Sequence, residues 1–318
     1  MNFWKILATL AIALVLAACP NGTDSGSGGT LKLSGQVYER GVDTENLGLY
    51  LLVGEESIIK YDNYSGSDAS VFDENSGGSG SIKDGRLDFS IGKPDDALLS
   101  PVAELNDLLL DEIGIAGKDG IYAEIDVNHK GANFTALSLV ASGDPEYAPL
   151  TRENLAIFIT NREFASLFPI LPSAMSLNIV TDTVSYMYVD SDVTITAKGA
   201  ASTYSIEEIE ELAEISINEL LAETPVNVTA EDINLVTHNI DLKLKKGWNA
   251  VRGKLTIIID LKINLDLASL GSADAGTILG MLTENPELLD IAISEINGDM
   301  SISASDVNPS THYWVINN

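Results

Sequence analysis

Alternation of apolar and polar residues dominates this chain and predicts strands along most of its length. Leu31-Lys32-Leu33-Ser34-Gly35-Gln36-Val37-Tyr38 repeats with the period of two that a half-buried strand requires. Leu47 to Ile59 is a longer apolar run interrupted by Gly54. Ile82-Lys83 and Arg86-Leu87-Asp88-Phe89-Ser90-Ile91 flank Asp84-Gly85, a dipeptide suited to a two-residue hairpin turn. Further strand-like runs fall at Gly120 to Val127, Phe134 to Ala141, Asn154 to Thr160, Ser176 to Val180, Val184 to Ala197, Ile233 to Leu244, Ala250 to Leu267 and Tyr313 to Ile316.

Helical spacing is rarer. Ser100 as N-cap and Pro101 at the first position open a stretch in which Val102, Leu105, Leu108, Leu109 and Ile113 share a face. Ser205-Ile206-Glu207-Glu208 forms a capping box before an amphipathic run to Ala222. Its stripe of Glu207, Glu210, Glu211 and Glu214 lies opposite Ile206, Ile209, Leu212, Ala213, Ile217 and Leu220. Asp274 to Leu282 and Pro286 to Ile293, the latter capped by Asn285, also read as helices. The fold class these patterns predict is α+β and β-rich, with antiparallel, sandwich-like sheets and a few packed helices. A polar stretch at Gly143 to Pro149 divides the globular part into a β-rich unit over 31–145 with one helix and an α+β unit over 146–318.

The first nineteen residues carry a different pattern. Lys5 precedes the apolar run Ile6 to Val15, and Leu16-Ala17-Ala18-Cys19 places small residues before a lone cysteine, the layout of a secretory peptide with its processing site. The four-residue motif resembles the lipobox of bacterial lipoproteins. That resemblance implies cleavage after residue 18, acylation of Cys19 and a membrane partner reached through the lipid. Two or more acyl chains hold a protein durably on a bilayer. Pro20, where an aspartate would stand in a retained lipoprotein, implies an outer-membrane or cell-surface location in the cell envelope. Residues 19–30 are small and polar and read as a flexible tether of roughly 18 Å root-mean-square length.

Other segments resemble known families more faintly. Ser34-Gly35-Gln36-Val37-Tyr38 and Asp84-Gly85-Arg86-Leu87-Asp88-Phe89-Ser90-Ile91 are similar to transthyretin-like, carboxypeptidase-regulatory modules, which implies a small sandwich and no activity. Tyr188 to Thr196 and the stretch Lys245-Lys246-Gly247-Trp248-Asn249 resemble segments of bacterial envelope lipoproteins that carry no assigned catalytic residue, so they imply class and location only.

Composition narrows the chemistry. With Cys19 the only cysteine, the exported part has no intramolecular disulfide, thiolate metal site or cysteine nucleophile. Formal net charge is -29, and -30 without Lys5, a surface that repels the phosphates of nucleic acid. His129, His238 and His312 lack metalloprotease spacing, and no Gly-x-Ser-x-Gly elbow or phosphate-cradling glycine loop occurs.

Candidate cation ligands are few. Asp126-Val127-Asn128-His129-Lys130-Gly131 begins like a calcium loop but has Lys130 at the fifth position and Leu137 at the twelfth, so a hairpin turn is the better reading. Asp190 and Asp192 would share a strand face, two ligands for a calcium ion that needs more. Tyr186, Tyr188 and Trp248 could stack on a glycan or anchor a protein ligand, but core packing is the commoner use of such rings. The sequence therefore predicts a lipid-anchored envelope protein presenting a β-rich ectodomain for binding or structural interaction, without a catalytic set. The competing reading is an exported carbohydrate-active hydrolase using paired carboxylates.

Overall fold

The computed structural model describes residues 29–43, 57–73, 77–104, 125–142, 147–165, 168–205, 226–230, 232–265, 289–304 and 311–316. Those residues are strands and their connections, plus two single-turn 3-10 segments at Asp96–Leu98 and Val102–Glu104. The strands are β1 (Leu31–Val42), β2 (Ile59–Asn63), β3 (Ala69–Asp73), β4 (Ser79–Lys83), β5 (Arg86–Ile91), β6 (Ser100–Pro101), β7 (Ile125–Val127), β8 (Asn133–Ala136), β9 (Leu139–Ser142) and β10 (Tyr147–Ala165). They continue with β11 (Phe168–Val189), β12 (Val193–Ala197), β13 (Ala200–Ser205), β14 (Val226–Val228), β15 (Asp232–Thr237), β16 (Ile240–Leu244), β17 (Gly247–Leu265), β18 (Leu289–Ser303) and β19 (Tyr313–Ile316).

Packed helices are not part of the described fold, which corrects one element of the expected class. Ser100 caps no helix: Ser100 and Pro101 pair with Phe134 and Asn133 as a short strand. Val102 then buries its side chain and donates its N–H to the Ala132 carbonyl. Leu289 to Ile293, predicted as the end of a helix, is the start of β18, paired with β17 from Leu289↔Leu265 onward. Asn285 and Pro286 and the predicted helices over 206–222 and 274–282 lie outside the described residues, as do 105–113 of the first.

Seven strands close a ring. β1 pairs β5, β5 pairs β4, β4 pairs β3, β3 pairs β9, β9 pairs the start of β10, β10 pairs β19, and β19 returns to β1 in the one parallel step. The ring thus takes strands from both sides of residue 145. Its interior is filled by Leu31, Leu33, Val37, Val71, Ile82, Leu87, Phe89, Ile91, Tyr186 and Trp314, among others. The alternation of β5 explains its part, since Leu87, Phe89 and Ile91 point in while Arg86, Asp88 and Ser90 point out.

Below the ring, β10, β11, β17 and β18 form a long antiparallel sheet. The far edge of β18 is met by β14, β15 and β16 in parallel, so the sheet is mixed rather than wholly antiparallel. A second core gathers Ile157, Ile159, Leu177, Ile179, Ile195, Leu242, Ile257, Ile259 and Ile296. β11 links the two cores: its odd-numbered Met175, Leu177 and Ile179 serve the lower one and its even-numbered Tyr186 serves the ring.

Two glycines make the β4–β5 hairpin possible. Asp84 and Gly85 both have positive φ, 49° and 70°, as the predicted two-residue turn requires. A Cβ on Gly80 would stand 2.3 Å from the Asp88 carbonyl oxygen, so the strand can approach β5 only without a side chain there.

Candidate functional site

The most concentrated buried charge lies where the two cores meet. Asp182, central in β11, accepts hydrogen bonds from Arg252 Nε at 2.8 Å and Arg252 Nη2 at 2.5 Å. His312 Nε2 stands 3.0 Å from Asp182 Oδ1, off the direction of a well-formed hydrogen bond. Thr311 Oγ1 lies 3.0 Å from the other ring nitrogen, Nδ1. The side chains of His312 and Asp182 are 2% and 12% exposed, whereas Arg252 is 41% exposed and closes the cluster toward solvent. Burial pushes the Asp182 carboxyl up, but Arg252 and His312 outweigh it and bring the group down to about 2. Arg252 is held above its ordinary range by the same partner.

Hydroxyl, imidazole and carboxylate in a row have the members of a nucleophile, base and orienting acid. The imidazole is enclosed, however, and the carboxylate is already clamped by a guanidinium in a two-point fork. This is the arrangement of a structural tie. It joins β11, β17 and the residue entering β19, elements that belong to different cores.

A second polar pairing flanks it. Glu153 of β10 accepts from Arg40 at 2.8 Å and from Thr151 at 3.0 Å. Tyr61 takes the Leu155 N–H and donates back to the Leu155 carbonyl; burial first, then Glu153, push its hydroxyl well above the usual tyrosine range against the opposing pull of that backbone bond. Its ring stacks on Tyr313 at 4.3 Å, and Tyr38 meets Tyr313 edge-on at 5.0 Å.

Of the residues singled out in the sequence, Asp190, Asp192, Asn128 and the Lys245–Asn249 stretch lie in turns that are tied to one another at one end of the molecule. Asp190 accepts from the backbone and side chain of Asn133, at 3.0 and 2.7 Å, and from Ser191. Asp192 accepts instead from Lys245 Nζ at 2.8 Å and the Lys246 N–H at 2.9 Å. The two carboxylates therefore serve different partners. Asn128 exchanges two hydrogen bonds with Thr194, through its N–H and its side-chain oxygen, and ties the β7–β8 turn to β12. Asp126, exposed on β7, pairs with Thr196. Among the described residues no group of three or more His, Cys, Asp or Glu is placed to hold a metal ion.

The Lys245-Lys246-Gly247-Trp248-Asn249 stretch is a stapled turn. Asn249 Oδ1 accepts the Lys245 N–H, and its amide donates to the Lys245 and Gly247 carbonyls. Gly247 supplies a φ of 105°, a region glycine tolerates best. Trp248 donates its indole N–H to the Gly92 carbonyl at 3.0 Å and packs edge-on against Tyr188 at 5.5 Å. Tyr186 is buried in the ring, stacked on Trp314 at 6.2 Å and bonded to Arg152. Those three rings are thus occupied by intramolecular packing.

Sequence reasoning passed over Asp182 and Arg252 and weighed His312 only for metalloprotease spacing, because Arg252 and His312, 70 and 130 residues from Asp182, become its neighbours only through strand pairing. The one available signal was an acid in the middle of a stretch that is otherwise strand-forming. His129 is exposed in a turn, and His238 pairs with Asp299 at 2.8 Å. Cys19 lies outside the described residues. Among those that are described, no helix is long and apolar enough to cross a membrane. No family model, curated protein or solved structure matches the chain.

Proposed function

We propose that this chain is a lipid-anchored bacterial envelope protein whose β-rich ectodomain acts by binding or structural interaction, at an outer membrane or the cell surface. One observation supports the non-catalytic reading above others. Among the described residues the buried carboxylates are Asp43, Asp73, Glu153 and Asp182, and each is engaged within the fold: Asp182 and Glu153 by arginines, Asp43 by Lys60 and Asp73 by the Ser138 N–H. Tyr186, Tyr188, Trp248 and Trp314 are likewise engaged in intramolecular packing. The anchor rests on Lys5, the apolar run to Val15, and Leu16-Ala17-Ala18-Cys19.

Fractionation of cells expressing the full chain and Cys19→Ala tests the anchor. The parent partitions with membranes and yields a mature amino-terminal peptide whose mass includes acyl chains. The variant is released to the soluble fraction or remains as uncleaved precursor. Membrane retention of a processed Cys19→Ala chain equal to that of the parent would sink the reading.

A further inference from the structure

The anchor leaves open which end of the ectodomain faces the lipid, and the strand register bears on that. The described chain enters the fold at Leu31, paired with Ile91 at the end of β5, so residue 30 stands beside Gly92. Gly92 is also where Trp248 of the stapled turn donates its indole N–H. Lys245 and Lys246 of that turn reach Asp192, and Asp190 beside it is bonded to Asn133, which follows the turn bearing His129 and Lys130. The entry point and the turns 92–96, 128–132, 190–192 and 245–246 therefore lie at one end of the molecule. Eleven residues, 20–30, separate Cys19 from Leu31, a span of at most about 40 Å when extended.

Charge at this end departs from the rest of the chain. The four turns contain Lys93, Lys130, Lys245 and Lys246 against Asp95, Asp96, Asp190 and Asp192. Each of those aspartates accepts from a protein donor: Asp95 from the Ala97 N–H, Asp96 from Lys93, and Asp190 and Asp192 as described. These four turns therefore carry no formal net charge, in a chain whose formal net charge is -29. Lys32, Lys130 and Lys246 are exposed, and none of them has an ion-pair partner among the described residues. An acidic body held near an anionic bilayer is repelled by it, and the balanced end with available ammonium groups is the one that can approach.

We propose that this end is a lipid-docking surface, on which Lys32, Lys130 and Lys246 contact the phosphates of an anionic membrane beside the acylated Cys19 and hold the acidic body outward. The occupant is the phospholipid surface itself. The inference rests on the lipid-anchor reading for its tether, but the lysine contacts can be measured separately from acylation.

The full-length protein is extracted from membranes and reconstituted in vesicles of phosphatidylglycerol and phosphatidylethanolamine, or of phosphatidylcholine alone. A nitroxide is attached through His129→Cys in the docking turns or through Ser65→Cys, which sits by Tyr64 and Gly85 at the other end of β5. In the anionic vesicles the label at 129 resides in the headgroup layer and the label at 65 stays in water. Phosphatidylcholine weakens the difference. Exchanging both Lys130 and Lys246 for Gln lowers headgroup occupancy of the label at 129 by about 25-fold, at about fivefold per lysine, with the melting temperature unchanged. Equal solvent accessibility of the two labels in anionic vesicles, or indifference to the lysine exchanges, would overturn the docking surface. Mass spectrometry of the amino-terminal peptide reads the anchor independently. An unmodified Cys19 removes the anchor reading, after which lysine-dependent headgroup contact still upholds docking and its absence rejects it.

Discussion

Asp182 lies on β11 between Thr181 and Thr183 and is buried, and its charge is retained in the fold through Arg252 and His312. Removing one member of a buried pair leaves the other uncompensated, a cost of about 3–5 kcal/mol when both are enclosed. Arg252 is partly open to water, so Asp182→Asn should cost less, about 1–2 kcal/mol after solvent screening. Urea unfolding of the two proteins at pH 7 measures it. The pH dependence carries the same signature with a defined sign. Asp182 titrates at about 2 in the fold and near 3.9 when unfolded, so the unfolded chain binds the extra proton as acid is added. The stabilisation is complete above about pH 5 and disappears as the pH falls toward 2. The stability difference between parent and Asp182→Asn should therefore shrink across that interval, and a difference constant from pH 7 to pH 2 would contradict the assigned role of the carboxylate.

At the scale of single elements, the β4–β5 hairpin offers the sharpest contrast. Gly80→Ala would press a methyl group into the backbone of β5, which cannot move aside without breaking the pairing of Ile82 with Leu87. Gly85→Ala meets the Gln36 side chain and the Tyr64 carbonyl, each at 2.9 Å, and adds the strain of a positive φ. Both variants should melt below the parent, by an amount equivalent to about 1–3 kcal/mol, with Gly80→Ala the worse. Equal melting temperatures would mean that the sheet gives way more easily than its geometry implies. This hairpin was legible in the sequence because its information is local: Asp84-Gly85 fixes the turn and alternation fixes the faces of β5. So were β1 and β19, while the single run expected over Ile233 to Leu244 is two strands, β15 and β16. The interruption expected at Thr181-Asp182-Thr183 was not found, since β11 runs through those polar residues with all three buried. Their partners are Arg252, His312 and the Gly253 carbonyl, which come from distant parts of the chain. Leu289 to Ile293 misled for a related reason. Its apolar spacing also fits one helical face, and only pairing with Leu261, Lys262 and Ile263 decides for strand.

For the whole molecule, β19 is the element on which the two cores depend together. It lies parallel to β1 and antiparallel to β10, closing the ring, while the residue before it contacts Asp182 in the long sheet. Trp314 fills the ring from β19, stacked on Tyr186 of β11 and lying under the Arg152 guanidinium at 5.1 Å from its centroid. Because β10 and β11 run from the ring into the lower core without a break, a loosened ring cannot leave the long sheet unaffected. Trp314→Ala should cost about 3–5 kcal/mol, the range for emptying a large aromatic site. That loss should reach both cores. Native-state hydrogen exchange on the full chain reads this directly, through the amides of Leu87 and Phe89 in the ring and of Ile179 and Ile257 in the lower sheet. All four should lose protection by the same free energy as they do in global unfolding. If Leu87 and Phe89 became labile while Ile179 and Ile257 kept the parent's protection, the ring would be a separate cooperative unit. The continuity of β10 and β11 would then carry the chain between the cores without coupling their stability.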